Sequence, residues 1–299
     1  LPVLIARLIA DTETLGDRLA LAMAEIEDTG AEVVGAGMLD TNPAVLELEV
    51  DEGEAGGGLA MLRRVLEAHF ADTDLLIATA PITLPGLFVS DMDSTMIGQE
   101  CIDELADFAG LTPQIAAITE RAMRGDMDFV TALRERVALL KGLPVSTIAQ
   151  CLDNRIRPMD GAATLVRTLK AHGAHCVLVT GGFHAFADTV ADALGFDRVV
   201  GNQLAVADGV LTGELTGIIV DGGIKHSVLV EETARLGAGT VSLATGDGAN
   251  DIAMLVAATH GIAFRAKPKT RDAADGRVDH GDLTTILELY GIPRENWAS

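Results

Sequence analysis

The chain has 299 residues, 48% of them apolar, 3% aromatic and 22% charged, with a formal net charge of −22. That composition excludes a disordered chain and supplies enough apolar material for a sizeable core in two domains. So acidic a field repels nucleic acid and anionic lipid, which excludes both as partners, and it makes any anionic substrate depend on a local cationic site. Cys101, Cys151 and Cys176 are scattered and lack metal-ligand spacing, as expected of buried free thiols in a reducing compartment. The longest uncharged apolar run, 75–89, is broken by Pro81 and Pro85, so no membrane span is expected. With no signal-peptide pattern at the start, the cytoplasm is the expected location.

Residues 1–83 read as a small separate module. A strand over 3–10 precedes a helix over 13–28, whose Leu15, Leu19, Ala22 and Ile26 keep helical spacing up to Gly30. Strands over 31–39 and 44–50 flank Asn42-Pro43, a glycine-rich turn at 56–58 leads to a helix over 59–69, and 75–79 supplies a last strand. The order βαββαβ is the ferredoxin-like plan. Residues 81–85 form a linker.

From residue 87 the texture changes. A short apolar strand, 87–90, runs into Asp91-Met92-Asp93-Ser94-Thr95. Four helices follow, over 99–109, 113–124 (capped by Thr112), 129–141 (capped by Asp128) and 145–152. Each of the first three is closed by a glycine. They form an insertion over about 98–155 within a larger domain, 85–299. After Pro158 helix and strand alternate: helix 161–172, strand 175–180, helix 185–194, short strands with turns at Asp208-Gly209 and Gly213, a helix from about 223, strand 240–244, helix 251–259 and strand 261–264. Such alternation predicts an α/β fold with a Rossmann-like parallel sheet and helices on both faces, its ligands gathering at the carboxyl ends of the strands.

Three strand ends carry the chemistry: Asp91-x-Asp93-Ser94-Thr95, Thr180-Gly181-Gly182 and Gly246-Asp247-Gly248-Ala249-Asn250-Asp251. Two carboxylates two residues apart at a strand end can reach one ligand. A carboxylate can attack phosphorus as a nucleophile, and a second can protonate the departing alkoxide and then activate water. Alone, each segment also reads as an ordinary turn: an acidic helix cap at 91–95, or a strand-to-helix glycine turn at 180–182 and 246–248. Asp247 and Asp251 add negative charge that repels a phosphate unless a hard cation joins them, and Mg²⁺ suits an all-oxygen site of this kind. Gly181 and Gly182 let backbone N–H groups approach phosphate oxygens, with the Thr180 hydroxyl as a further donor. Lys225 is the compensating cation that the net charge demands; taken by itself it reads as a surface lysine at a helix start. Its neighbour His226 reads as a surface residue. On the third inserted helix Phe129, Leu133 and Arg136 share one stripe at i, i+4 and i+7, while Arg134 points away. An arginine on an apolar stripe needs an anionic partner, either a glutamate of the insertion or a ligand carboxylate. Glu100 is placed to receive a cationic group or to favour a helix N-terminus.

Taken in order, with Lys225 between the last two, these segments resemble the haloacid-dehalogenase (HAD) superfamily. The runs SDMDSTMIGQECIDELA, AMRGDMDFVTALRERV, VTGGF and GDGANDIAML resemble its phosphoserine phosphatases over about residues 87–275. The resemblance implies a HAD core with an inserted helical cap that hydrolyses O-phosphoserine through an aspartyl-phosphate, the last step of serine biosynthesis. It implies Asp91 as nucleophile and Asp93 as general acid and base. Mg²⁺ would be held by Asp91, Asp247 and the Asp93 backbone carbonyl, with Asp251 in support. Glu100, Met123, Phe129, Arg136, Thr180, Gly181, Lys225 and Asn250 would contact substrate. Threonine at 180 departs from the serine commoner in the family but keeps the donor. Residues 1–83 resemble the ACT-like domains of amino-acid enzymes, implying a bound serine, a homodimer contact, or both. A HAD enzyme of another small phosphomonoester, a phosphotransferase and a non-catalytic amino-acid sensor are the rival readings. Retention of Asp91, Asp93, Lys225 and Asp247 argues against the sensor.

Overall fold

The computed structural model describes residues 3–10, 15–53, 58–124 and 126–298; the side chain of Met123 falls outside that set. The first elements are β1 (Val3–Ile9), α1 (Leu15–Asp28), β2 (Glu32–Leu39), β3 (Asn42–Asp51), α2 (Gly58–His69) and β4 (Leu75–Ala78). Their sheet order is β2-β3-β1-β4, with every neighbouring pair antiparallel. In β3 Leu46, Leu48 and Val50 face inward while Glu47 and Glu49 alternate outward, the period of a half-buried strand. These side chains meet Leu4, Ala6 and Leu8 of β1, Ala22 and Ile26 of α1, and Leu62, Val65 and Leu66 of α2 in one apolar core.

The remaining chain gives β5 (Leu87–Ser90), then α3 (Cys101–Phe108), α4 (Thr112–Met123), α5 (Phe129–Leu139) and α6 (Ser146–Arg155), then α7 (Ala162–Ala171), β6 (His175–Phe183) and α8 (His184–Leu194). A hairpin of β7 (Arg198–Ala207) and β8 (Val210–Thr216) follows, then α9 (Gly222–Leu236), β9 (Ser242–Gly246), α10 (Ile252–Ala257), β10 (His260–Phe264), α11 (Pro268–Ala273), β11 (Gly276–Val278) and α12 (Thr285–Leu289). β5 and β9 lie side by side and in parallel near the centre, and every residue of both is buried. Covered on both faces, such strands need a continuous apolar run and not alternation. From β5 the chain winds outward through β6 and β7, then returns to β9, β10 and β11 on the other side. The β5/β9 junction is therefore the topological switch point, where a crevice opens at the strand ends.

Four expectations need correction. The sheet is mixed and not purely parallel, because β4 and β8 run antiparallel to their neighbours. The first module is not separate: β4 pairs with β11, making one eleven-stranded sheet among the described residues. At that seam Gly276 admits the neighbouring strand, since a Cβ there would lie 2.6 Å from the Leu75 carbonyl oxygen. Thr112 is not a cap; Leu111 occupies that position, and the Thr112 hydroxyl bonds Asp107 instead. Gly213 lies inside β8, not at a turn; its φ of +83° and the closeness of Lys141 and Ala138 require glycine. Asp128 does cap α5, accepting from the Thr131 N–H at 2.9 Å. All three cysteines are buried and free.

Candidate active site

Asp91 follows directly on β5, and its N–H donates to the Thr245 carbonyl of β9 at 3.0 Å, so the switch point fixes its backbone. Lys225 comes from the first turn of α9, whose N-cap Asp221 accepts from the Ile224 N–H. The ammonium of Lys225 is fully buried and lies 2.6 Å from Asp91 Oδ1 and 2.6 Å from Asp251 Oδ1. Asp251 also accepts the Gly248 N–H through Oδ2. Glycine is needed at 246, where a Cβ would lie 2.5 Å from the Asp251 carboxyl carbon. Carboxylate oxygens of Asp91, Asp247 and Asp251 all fall within 4.8 Å of one another.

One lysine does not neutralise three clustered acids. Burial, and next the Asp251 carboxylate, hold the Asp91 carboxyl well above its usual range against the pull of Lys225. Burial, then Asp251 and Glu100, push Asp247 up to about 6. Burial works against the charge of Lys225, but Asp91 and Asp251 outweigh it and keep the ammonium protonated. An uncompensated set of hard oxygen donors is what a divalent cation such as Mg²⁺ fits. Asp93 is not one of the three carboxylates that come together. Burial, followed by Glu100, raises it to about 7, and its Oδ1 has no hydrogen-bond partner. A carboxyl half-protonated at neutral pH with a free oxygen can both give and take a proton.

The acids face a cavity of about 590 Å³ between the strand ends and the inserted helices. Its floor carries Asp91, Asp93, Asp247 and Asn250, and its helical wall carries Phe129, Leu133 and Arg136, the expected stripe. Arg134 is exposed on the opposite side, and His226 is also exposed. The Phe129 ring comes to within 3.3 Å of a Cβ position at Gly181, so helix and floor touch there. Arg136 has no partner for Nε, and among the described residues no carboxylate lies within ion-pair distance of its guanidinium. The internal ion pair is therefore not formed. Glu100 precedes α3 but makes no side-chain cap bond; instead the Ser94 hydroxyl donates to it at 2.7 Å, from a backbone at φ +56°. The Thr180 hydroxyl accepts the Gly182 N–H at 2.8 Å, and Asn202 donates to the Gly181 carbonyl at 2.8 Å. Both ends of the Gly181–Gly182 peptide are thus fixed. Met123 closes α4, and its side chain lies outside the described residues.

Of the expected site residues, Lys225 and Asp251 sit beneath the floor and not on it; Glu100, Asp93, Thr180 and Gly181 line the cavity. Sequence reasoning passed over Ser94, Asn202, Asp221 and Lys267. Ser94 lay inside a quoted motif, and Asp221 carried the signal of an N-cap three residues before a helical nitrogen. Asn202 and Lys267 carried no local signal.

A model of the haloacid dehalogenase-like hydrolases matches residues 88–256. A phosphoserine phosphatase of Polaromonas sp. is 44% identical over 209 residues, 68% of this chain and 89% of that protein. A phosphoserine phosphatase of Mycobacterium tuberculosis is also 44% identical, over 70% of this chain, which spans about half (51%) of that longer protein. Among solved structures, a HAD family hydrolase of Salmonella enterica serovar Typhi superposes with a TM-score of 0.81 at 29% identity, covering 98% of this chain and 99% of the other. A phospho-aspartyl intermediate analogue of a phosphoserine phosphatase superposes with a TM-score of 0.62 at 37% identity, over 68% and 98%. The chain belongs to the haloacid dehalogenase-like hydrolases and, within them, to the phosphoserine phosphatase family.

Proposed function

We propose that this chain hydrolyses O-phosphoserine to serine and phosphate, with Asp91 as nucleophile and Asp93 as general acid and base. One observation carries the reading. A buried Lys225 clamps Asp91 and Asp251 beside Asp247 at one end of a cavity, while an unpaired Arg136 stands in its opposite wall. Phosphate at one end and an α-carboxylate at the other suit those two ends. The serine ammonium suits Glu100, and Thr180, Gly181 and Asn250 border the phosphoryl position. Phe129 supplies apolar wall.

Asp91, Asp247 and the Asp93 backbone carbonyl would hold Mg²⁺, with Asp251 in support, and the ion would neutralise charge there and polarise the phosphoryl group. Lys225 fixes the Asp91 carboxylate for in-line attack on phosphorus. Protonated Asp93 gives its proton to the departing serine oxygen. Its carboxylate then takes a proton from the water that hydrolyses the aspartyl-phosphate and restores Asp91. The inserted helices close over the substrate and exclude bulk water. A comparison of phosphoserine, phosphothreonine and p-nitrophenyl phosphate with Mg²⁺ tests the assignment. Phosphoserine should have the highest kcat/KM, and equal use of all three would contradict it.

Residues 1–83 act in this proposal as an ACT-like regulatory and dimerisation domain beside the catalytic domain, 85–299, in a cytoplasmic homodimeric enzyme of serine biosynthesis. The βαββαβ order and its own apolar core support that reading. Because truncation would uncover β11, the intact chain is the right material. Serine should inhibit it and slow hydrogen exchange in β1–β4, and unchanged exchange under inhibition would put serine in the catalytic cavity alone.

A further inference from the structure

Lys225 cannot be the charge that an arriving substrate first meets. Its ammonium is fully buried, already bonded to two carboxylates, and absent from the cavity surface. The surface an anion would see from solvent is acidic: Asp91, Asp93, Glu100, Asp221 and Asp247 all contribute, in a chain of net charge −22. Among the described residues, only two basic side chains line the cavity, Arg136 and Lys267. Arg136 stands half-buried in the helical wall, close to Asp103 and Glu100. Lys267 is exposed, on the strand-end side of the cavity. Its backbone N–H donates to the Asp247 carbonyl at 3.2 Å, which stations the residue beside the acids where a phosphoryl group would come to rest. Its own carbonyl is taken up by the first turn of α11, through the Thr270 and Arg271 N–H groups.

We propose that Lys267 is the capture residue for the phosphoryl dianion: it draws the substrate from solvent into an otherwise acidic opening. The inference rests on the phosphatase reading above. An exposed ammonium at the rim of a cleft raises the local concentration of an anion and its rate of arrival, and salt screens that gain. The fixed charge of Lys225 beneath the floor acts only once the anion is seated.

The test compares the intact wild-type chain with Lys267→Gln and Lys267→Arg over a range of ionic strength. Lys267→Gln should lower kcat/KM for phosphoserine about tenfold at low salt, with kcat little changed and the deficit shrinking as salt is added. Lys267→Arg should recover most of the loss. Calorimetric titration of inorganic phosphate with Mg²⁺ present gives a readout independent of turnover, and Lys267→Gln should weaken it in the same salt-dependent way. Equal kcat/KM and equal phosphate affinity in Lys267→Gln and wild type would overturn the proposal. So would a salt-independent fall in kcat, which would make Lys267 a mere support for the Asp247 loop. Failure of the phosphatase reading would show differently, as a wild-type chain that binds phosphate but does not turn over phosphoserine.

Discussion

Two buried aspartates, each at a strand boundary, do opposite things in this molecule. Asp74, just before β4, is 3% exposed, and Asp91, just after β5, is 5% exposed, so burial does not separate them. Asp74 accepts three backbone N–H groups, from Asp279, His280 and Gly281, at 2.7, 3.0 and 2.8 Å. Arg277 donates to the Phe70 carbonyl and Arg7 to the Leu289 carbonyl across this seam between the first module and the C-terminal segment, although Arg277 Nε is left without a hydrogen-bond partner. Asp91 shares one lysine with Asp251 and has Asp247 close by. A buried charge whose bonds are met holds structure together. One left short of compensation stores the electrostatic imbalance that a ligand relieves.

The contrast is sharpened by substitution, and the largest effect belongs to Asp91. Asp91→Asn should abolish turnover yet leave thermal stability equal to wild type or higher. The raised pKa of Asp91 means its ionised form costs folding free energy at neutral pH, and the amide removes that cost. A variant that is inactive because it is unfolded would break the comparison. Arg136→Ala comes next: loss of a charge-assisted fork should cost about 2–3 kcal/mol in kcat/KM for phosphoserine, chiefly through KM, with little change for p-nitrophenyl phosphate. Equal losses on both substrates would remove Arg136 from carboxylate recognition. Asp74→Ala should reverse the Asp91 pattern, lowering stability by about 3 kcal/mol in denaturant titration while the folded enzyme keeps its kcat. The smallest effect is on pH dependence. Asp93 must be protonated to donate, so kcat/KM should fall as pH rises through about 7. Glu100→Gln removes a carboxylate that raises this value, and the falling limb should move to lower pH; a limb that stays in place would detach Glu100 from Asp93.

The same contrast explains what was legible from sequence. Asp91, Asp93 and Asp247 stood out because the chemistry confines residue types to fixed spacings at strand ends, and Lys225 because so acidic a chain needs a cation to hold an anion. Phe129, Leu133 and Arg136 stood out because a helix repeats every 3.6 residues. The seam was invisible. β11 is three residues long, Gly276–Val278, too short to show a period, and Asp74 meets its donors across 205 to 207 positions. Without that pairing residues 1–83 look detached, although β4 makes them the flank of the catalytic sheet. Asn202 and Lys267 reach the site through tertiary placement alone, one from β7 and the other from the N-cap position of α11.

The most direct measurement uses phosphoserine labelled in its phosphoryl group, mixed with the intact enzyme and Mg²⁺, quenched in acid within a turnover and mapped by peptide mass spectrometry. The label should appear on Asp91 alone and decay at the rate of phosphate release. Full turnover with no label on Asp91, or with label on another side chain, would contradict the covalent route.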